Sequence, residues 1–260
     1  MGRRLAGLAG IVEDQVVPRL VEAHRPNPNE PTLAETLLQE PKAGVVETLA
    51  ELVVVDGEEA KMRVQTLLDD GMSIEAIYLN VLAPTARLLG RLWEEDERHF
   101  ADVTVGVGRL QQMLHDFEAA FQSAAIGWQP AQRVLLMPAP HEQHTFGLFM
   151  IGQFMRRAGW DAWTGPLPPD RKLKQLVRDG DFGVVGFSAS ADCRIESLTS
   201  VIAMVRQAAK DRRICVMVGG HAFASRPALV EAVGADGTAL DARSAIKLAH
   251  QLLGERENDY

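Results

Sequence analysis

Arg133-Val-Leu-Leu-Met137 is followed closely by Ala139-Pro-His-Glu-Gln-His-Thr-Phe-Gly147. A short apolar run bounded by proline is typical of a buried strand, so Glu142, His144 and Gly147 are expected just beyond the end of one. A histidine in that place can reach a metal. The segment therefore predicts both a buried strand and a candidate metal ligand just beyond its end.

Two later apolar runs also end in small or polar residues. Ser188-Ala-Ser190 follows the run 182–187, and Gly219-Gly220 follows the run 214–218. The intervals between the three motifs suit one strand–helix crossover each. Because ligands of doubly wound sheets bind outside the carboxyl ends of the strands, the three motifs indicate one site.

The pattern after residue 132 alternates strands with helices as far as residue 255. Strands are predicted near 133–138, 160–163, 183–188, 214–218 and 235–239. Asp241 is a suitable cap for the last helix. This α/β order predicts a flavodoxin-like, Rossmann-type sheet of five parallel strands as a domain over residues 132–255.

Residues 43–126 have a helical pattern throughout and predict a second domain. Apolar periodicity indicates helices over 45–55, 60–68, 74–93 and from Asp102 onward. Ser73 is a suitable N-cap for the third helix, and Pro84 predicts a kink within it. Four helices with short connections predict an antiparallel four-helix bundle.

Residues 1–42 are predicted to be an N-terminal arm and linker. Apolar residues recur at helical spacing between Leu5 and Leu20, and a proline-rich stretch, Arg25–Pro31, follows. A loosely docked terminus and a partner-binding helix are both compatible with this pattern.

Composition limits the function classes. The absence of a run of about eighteen apolar residues predicts no membrane span, and the start Met1-Gly-Arg-Arg4 lacks a secretory signal, so a cytoplasmic location is expected. Cys193 and Cys215 are too few for a disulfide framework. A net charge of −8 argues against nucleic acid as the primary ligand and favours a protein partner.

The order and spacing of the three motifs resemble the cobalamin-binding domain family. The family pattern is Asp-x-His-x-x-Gly, then Ser-x-Leu or Ser-x-Thr, then Gly-Gly; here Glu142 replaces the first acid and Ser190 ends the middle motif. The resemblance implies that His144 is the lower axial cobalt ligand, in place of the benzimidazole of the cofactor. Glu142 would hold the other ring nitrogen of that histidine.

The same resemblance implies a groove for the nucleotide tail of the cofactor, between the sheet and the helices. Gly147 would allow the tail a close approach, and Ser188 would donate a hydrogen bond to it. The further cofactor contacts that it implies are Thr145, Ser190, Gly219, Gly220 and His221.

The segment Gly90–Thr104 resembles the AerR and PpaA photosynthesis-gene antirepressors of purple bacteria. A bundle in front of a cobalamin domain commonly caps the upper face of the corrin, which implies that Trp93 contacts the cofactor. Light-sensing relatives carry Glu-His after the tryptophan with nine residues between them, but Val103 and Thr104 occupy those positions here and cannot ligate cobalt. Water or an adenosyl group is therefore expected above the metal, as in hydroxocobalamin or adenosylcobalamin.

The resemblance implies a non-enzymatic photoreceptor that regulates transcription by binding a repressor of the PpsR or CrtJ type. Light would break the cobalt–carbon bond, and the bundle would repack. Three alternatives stay open: a corrinoid carrier subunit of a methyltransferase, a haem or other tetrapyrrole sensor ligated by His144, and a zinc pair of His141 with His144. A catalytic function is disfavoured because Ser188 lacks a nucleophile-elbow context and His221 lacks an acid or base partner.

Overall fold

The computed structural model describes residues 39–123, 132–190, 195–211 and 213–258. Almost all of the predicted arm, and Cys193, lie outside these residues. The Cα positions divide the chain after residue 40, and residues 41–260 belong to the larger unit. The thiol of Cys215 is buried within β4, the strand Cys215–Gly219, and lies 3.5 Å from the carbonyl oxygen of Leu252.

The first half of the larger unit is helical. Its elements are α1 (Val45–Val55), α2 (Gly57–Asp69), α3 (Ile74–Ala76), a π-helical segment (Ile77–Leu82), α4 (Ala83–Glu94), α5 (Phe100–Asp116) and α6 (Glu118–Gln122). The Ser73 hydroxyl accepts the N–H of Ala76 at 3.2 Å, which confirms the predicted N-cap. The predicted start of the last long helix is wrong by two residues, because α5 begins at Phe100 and Asp102 lies in its first turn, where the helix dipole favours an acid.

The proline of the third helix is accommodated by the π-helical segment. α3, this segment and α4 follow one another without a break, and the N–H of Ala83 bonds to the carbonyl of Tyr78, five residues back. Pro84 has no N–H to donate. The irregularity predicted there therefore takes the form of a π-helical turn.

The second half is a sheet of five parallel strands in the order β2-β1-β3-β4-β5, which is the flavodoxin-like order. The strands are β1 (Arg133–Pro138), β2 (Asp161–Thr164), β3 (Val184–Ser188), β4 and β5 (Gly237–Ala239). The helices are α7 (Phe146–Arg157), α8 (Asp170–Gly180), α9 (Ile195–Ala208), α10 (His221–Ser225), α11 (Leu229–Ala232) and α12 (Ala242–Asn258). The predicted strands are confirmed to within two residues at each end.

Helices cover both faces of the sheet. Leu135 and Val185 pack with residues of α8 and α9, whereas Leu136 and Met217 pack with residues of α7 and α12. Asp241 caps α12 as predicted, because its carboxylate accepts the N–H of Ser244 at 2.7 Å.

Helix α7 belongs to both halves. Phe146, Met150 and Phe154 lie in the core of the helical half, whereas Leu148 and Met155 lie in the core beneath the sheet. Helix α7 therefore contributes side chains to both cores. Among the described residues, no helix is both long and apolar enough to cross a membrane.

Candidate functional site

The loop that follows β1 turns sharply before it enters α7. The N–H of Glu142 bonds to the carbonyl of Ala139 at 3.0 Å, with Pro140 and His141 as the central residues. His141 has a φ of 61°, in the left-handed region that non-glycine residues rarely adopt. The turn directs the side chain of Glu142 inward, where it is fully buried.

The carboxylate of Glu142 is the centre of a hydrogen-bond network. Oε1 accepts the N–H of Gln143 at 2.8 Å and of His144 at 2.9 Å. Oε2 accepts the N–H of Ser190 at 2.6 Å and its hydroxyl at 2.5 Å. The carboxylate thereby joins the loops that follow β1 and β3, which are neighbours where the strand order reverses.

These bonds set the ionisation of Glu142. Burial acts to raise its pKa, but the hydrogen bonds from Ser190 and His144 outweigh burial and lower the pKa to about 2. The group is therefore a carboxylate at neutral pH and can accept a hydrogen bond from the N–H of an imidazole ring.

His144 is oriented by this carboxylate. Its Nδ1 lies 2.7 Å from Oε1 of Glu142 and 3.1 Å from Oγ of Ser190. Because the carboxylate only accepts, Nδ1 carries the proton and Nε2 keeps a free lone pair. The imidazole is 69% exposed, so Nε2 is accessible to a metal from outside the protein.

Beside this cluster a cleft opens between the sheet and helices α7 and α12. The cleft is narrow, with a cavity volume of about 30 Å³, and it is partly open to solvent. Ser188, Gly219 and Gly220 line the end nearest the strand termini, and apolar side chains line the remainder. The structure thus brings three of the predicted tail residues to one groove.

Two of the predicted glycines have different surroundings. A Cβ on Gly220, whose φ is 98°, would collide with the carbonyl of Ala189, so the fold itself requires a glycine there. A Cβ on Gly147 would meet no protein atom within 4 Å. The space beside Gly147 is open to a ligand.

The remaining predicted contacts lie at helix starts. Thr145 precedes α7 and forms no side-chain cap. His221 begins α10, is exposed, and has Nε2 3.3 Å from Oγ of Ser225. Among the described residues, no group of three or more His, Cys, Asp or Glu could hold a metal ion.

Trp93 lies in the helical half and pairs edge-on with Phe100, with ring centroids 6.1 Å apart. Both rings are exposed, by 43% and 66%. The Thr104 hydroxyl donates to the carbonyl of Phe100 at 2.8 Å. Phe100 is not among the contacts predicted from the sequence, although it closely follows the charged stretch Glu94–His99.

Two family models match the chain, and both are described as a B12 binding domain. One covers residues 132–247, with the sheet and its loops, and the other covers residues 45–114 of the helical half. The fold and the site thus define a cobalamin-binding protein with a helical half in front of a parallel sheet. The chain therefore carries B12 binding domains over these two segments, which confirms the resemblance to the cobalamin-binding domain family.

Two comparisons extend this result. An uncharacterized 20.5 kDa protein in the bchF-crtJ intergenic region of Rhodobacter capsulatus is 26% identical over 163 residues, which span 63% of this chain and 84% of that protein. The structure of the Methanosarcina barkeri monomethylamine corrinoid protein superposes with a TM-score of 0.68 at 15% identity, over 80% of this chain and 98% of that one. The second likeness concerns the fold alone.

Proposed function

We propose that the chain is a cobalamin-dependent light sensor that acts on a DNA-binding repressor of photosynthesis and tetrapyrrole genes, without an enzymatic activity of its own. The observation that carries the proposal is His144. Its Nδ1 is committed to a buried carboxylate and its Nε2 is exposed, which is the donor arrangement that a metal-ligating histidine needs.

The site fits cobalamin better than haem or zinc. Haem has no nucleotide tail, so it would leave the groove that runs from Ser188 and Gly219 beneath α7 empty. A zinc ion bound by His141 and His144 would need further protein ligands. Among the described residues, no third His, Cys, Asp or Glu joins these two histidines. Bound cobalamin would supply a light-sensitive cobalt–carbon bond.

The protein can transmit a change at His144 through α7. This helix begins two residues after His144, and its last residue, Arg157, forms a partly buried ion pair with Glu75 of α3. Phe154 packs between the two ends, 4.8 Å from the ring of Phe121. A shift of the imidazole thus has a continuous packed route into the helical half.

The choice of a repressor as partner rests on two observations. The segment Gly90–Thr104 resembles the antirepressors, and the relative from Rhodobacter capsulatus is described by its place in a bchF-crtJ intergenic region. Trp93 and Phe100 offer an exposed aromatic pair within that same segment. We assign this pair to the face that responds to the upper ligand of the cofactor.

A mobility-shift assay tests the proposal. A PpsR/CrtJ-type repressor on its operator is mixed with the chain loaded with adenosylcobalamin, in darkness and after illumination. We expect light to change the affinity of the repressor for DNA in the presence of the wild-type chain and of the matched control His141→Ala, but not of His144→Ala. Equal affinity in darkness and light with the wild-type chain would contradict the proposal.

A corrinoid carrier subunit is the second candidate, because the fold matches that of a methylamine corrinoid protein over nearly its full length. Both candidates use His144 in the same way. Copurification with a methyltransferase, with no retention of a repressor, would favour the carrier.

A further inference from the structure

The outward face of α8 is basic. Arg171, Lys174 and Arg178 recur at spacings of three and four residues, which places them on one side of the helix. Leu173 and Val177 are buried on the opposite side, against the sheet. The three basic side chains are exposed and border one shallow depression. Helix α8 therefore packs with its apolar side and presents a positive stripe, the α8 stripe, to the outside.

The α8 stripe is not neutralised by its own chain. Among the residues that the structure describes, none of its three bases forms an ion pair with an acid. Asp170 and Asp179 also border the depression, but they lie at the two ends of the helix. The stripe thus keeps an excess of positive charge for a partner.

An exposed tryptophan belongs to the same face of the sheet as the α8 stripe. Trp163 lies on the edge strand β2 and is 37% exposed. Its pairing partner on β1 is Leu135, which packs in one core with residues of α8, and paired residues of neighbouring strands point to the same face. Exposed tryptophan and arginine together are typical of protein–protein interfaces.

The helical half carries the complementary charge. Acidic side chains outnumber basic ones by 15 to 7 in residues 41–123. The four consecutive acids Glu94–Glu97, the acidic turn, are exposed at the C-terminal end of α4. The dipole of a helix favours cations at that end, so the turn would be stabilised by a basic partner. Phe100 follows closely and is 66% exposed.

The α8 stripe and the acidic turn of one chain are kept apart by the sheet. Helix α8 covers one face of the sheet, whereas the helical half packs against α7 on the other face. The two complementary surfaces therefore point away from each other. Each is free to meet the corresponding surface of another copy of the chain.

We propose that the α8 stripe docks the acidic turn of a second copy, so that the protein associates head to tail with itself. Opposite charges steer and orient the contact, and the exposed rings of Trp163 and Phe100 supply apolar area beside them. The contact joins two different surfaces and is therefore heterologous. It does not rest on the proposed function, because neither surface includes His144.

The test is sedimentation velocity of the full chain over a range of concentrations and at two salt concentrations. At about 10 mM salt charges act over about 30 Å, and at about 1 M over about 3 Å. At the lower salt the mean mass should rise about twofold or more with concentration, and at the higher salt it should stay that of one chain. A wild-type chain that is monomeric throughout would overturn the proposal.

Charge reversal on each surface makes the test specific. The stripe variant Lys174→Glu/Arg178→Glu and the turn variant Glu95→Lys/Glu97→Lys should each be monomeric, because each then carries like charges on both surfaces. An equal mixture of the two should associate again, since every mixed contact pairs opposite charges. Association that survives either reversal, or a mixture that stays monomeric, would overturn the proposal.

A matched control and a second ligand complete the experiment. Arg243→Glu/Lys247→Glu makes the same change at exposed positions four residues apart on α12 and should associate like the wild type. Circular dichroism checks that all variants fold, and the salt series of the wild-type chain stands without them. A monomeric wild type that retards a DNA duplex, with the retardation lost in the stripe variant, would assign the stripe to nucleic acid instead and overturn the proposal.

Discussion

Oε2 of Glu142 lies 2.6 Å from the backbone nitrogen of Ser190 and 2.5 Å from its hydroxyl, across the two strands where the sheet order reverses. The other carboxylate oxygen holds Nδ1 of His144. One buried side chain therefore fixes the loop geometry and the tautomer of the proposed ligand. The choice of glutamate, where the family pattern has aspartate, is compatible with both contacts.

Glu142→Gln should weaken cobalamin binding. The amide keeps the volume but replaces one accepting oxygen with a donor, which then faces N–H or O–H groups. We expect an affinity loss of about 10- to 100-fold, as is typical when the partner of a metal-ligating histidine is removed. Absorbance titration with hydroxocobalamin measures it, with exposed Glu58→Gln as the control, and an unchanged affinity would exclude Glu142 as the orienting group.

The same carboxylate predicts a dependence of stability on pH. The pKa of Glu142 is lowered to about 2 from 4.5, so its contribution to folding is complete above pH 4.5 and disappears as the pH falls towards 2. Between about pH 6 and pH 3, the wild-type chain should lose roughly 2 kcal/mol more unfolding free energy than Glu142→Gln. Urea unfolding of the two proteins at both pH values checks this, and equal losses would contradict it.

Two glycine substitutions should have opposite effects on stability. Gly147→Ala adds a methyl group in open space within a helix, so stability should rise by up to about 1 kcal/mol while the affinity for cobalamin falls about tenfold. Gly220→Ala should cost about 1–3 kcal/mol, because of its positive φ and the collision with Ala189. Urea unfolding and absorbance titration measure the two quantities; an unchanged affinity in stable Gly147→Ala would place the cofactor elsewhere.

The partly buried ion pair between Arg157 and Glu75 should matter for coupling rather than for cofactor binding. Arg157→Met removes the partner of Glu75 and the donor to the carbonyl of Phe121, and should cost up to about 3 kcal/mol in urea unfolding, whereas the double variant Arg157→Met/Glu75→Leu should recover part of that loss. The ion pair lies about 16 Å along α7 from its start. The double variant should therefore bind cobalamin normally but lose the effect of light on the repressor.

Much of the fold could be predicted because its signals are local. The three central strands, β1, β3 and β4, are nearly continuous apolar runs, since helices cover the sheet on both faces. Asp241 and Ser73 are recognisable as helix caps because this signal is also local. Each side chain accepts the backbone N–H of a residue only three positions further along.

What depends on distant contacts could not be predicted. The π-helical form of Ile77–Leu82 results from packing ahead of Pro84, and the link between Glu142 and Ser190 joins residues 48 positions apart. The exposure of Phe100 and the apolar groove interior depend on how whole helices meet. The position of His144 just beyond a strand end could be predicted from the sequence, but the geometry of the hydrogen bond between its Nδ1 and Oε1 of Glu142 could not.

The central claim is that Nε2 of His144 is the lower ligand of cobalt. The most direct measurement is electron paramagnetic resonance of the cobalt(II) form bound to a chain labelled with nitrogen-15 in histidine only. We expect the nitrogen splitting to change from three lines to two on labelling, and the two-line pattern to be lost in labelled His144→Ala. A three-line pattern that labelling leaves unchanged would show that the ligand nitrogen comes from the cofactor itself and that His144 is not the lower ligand.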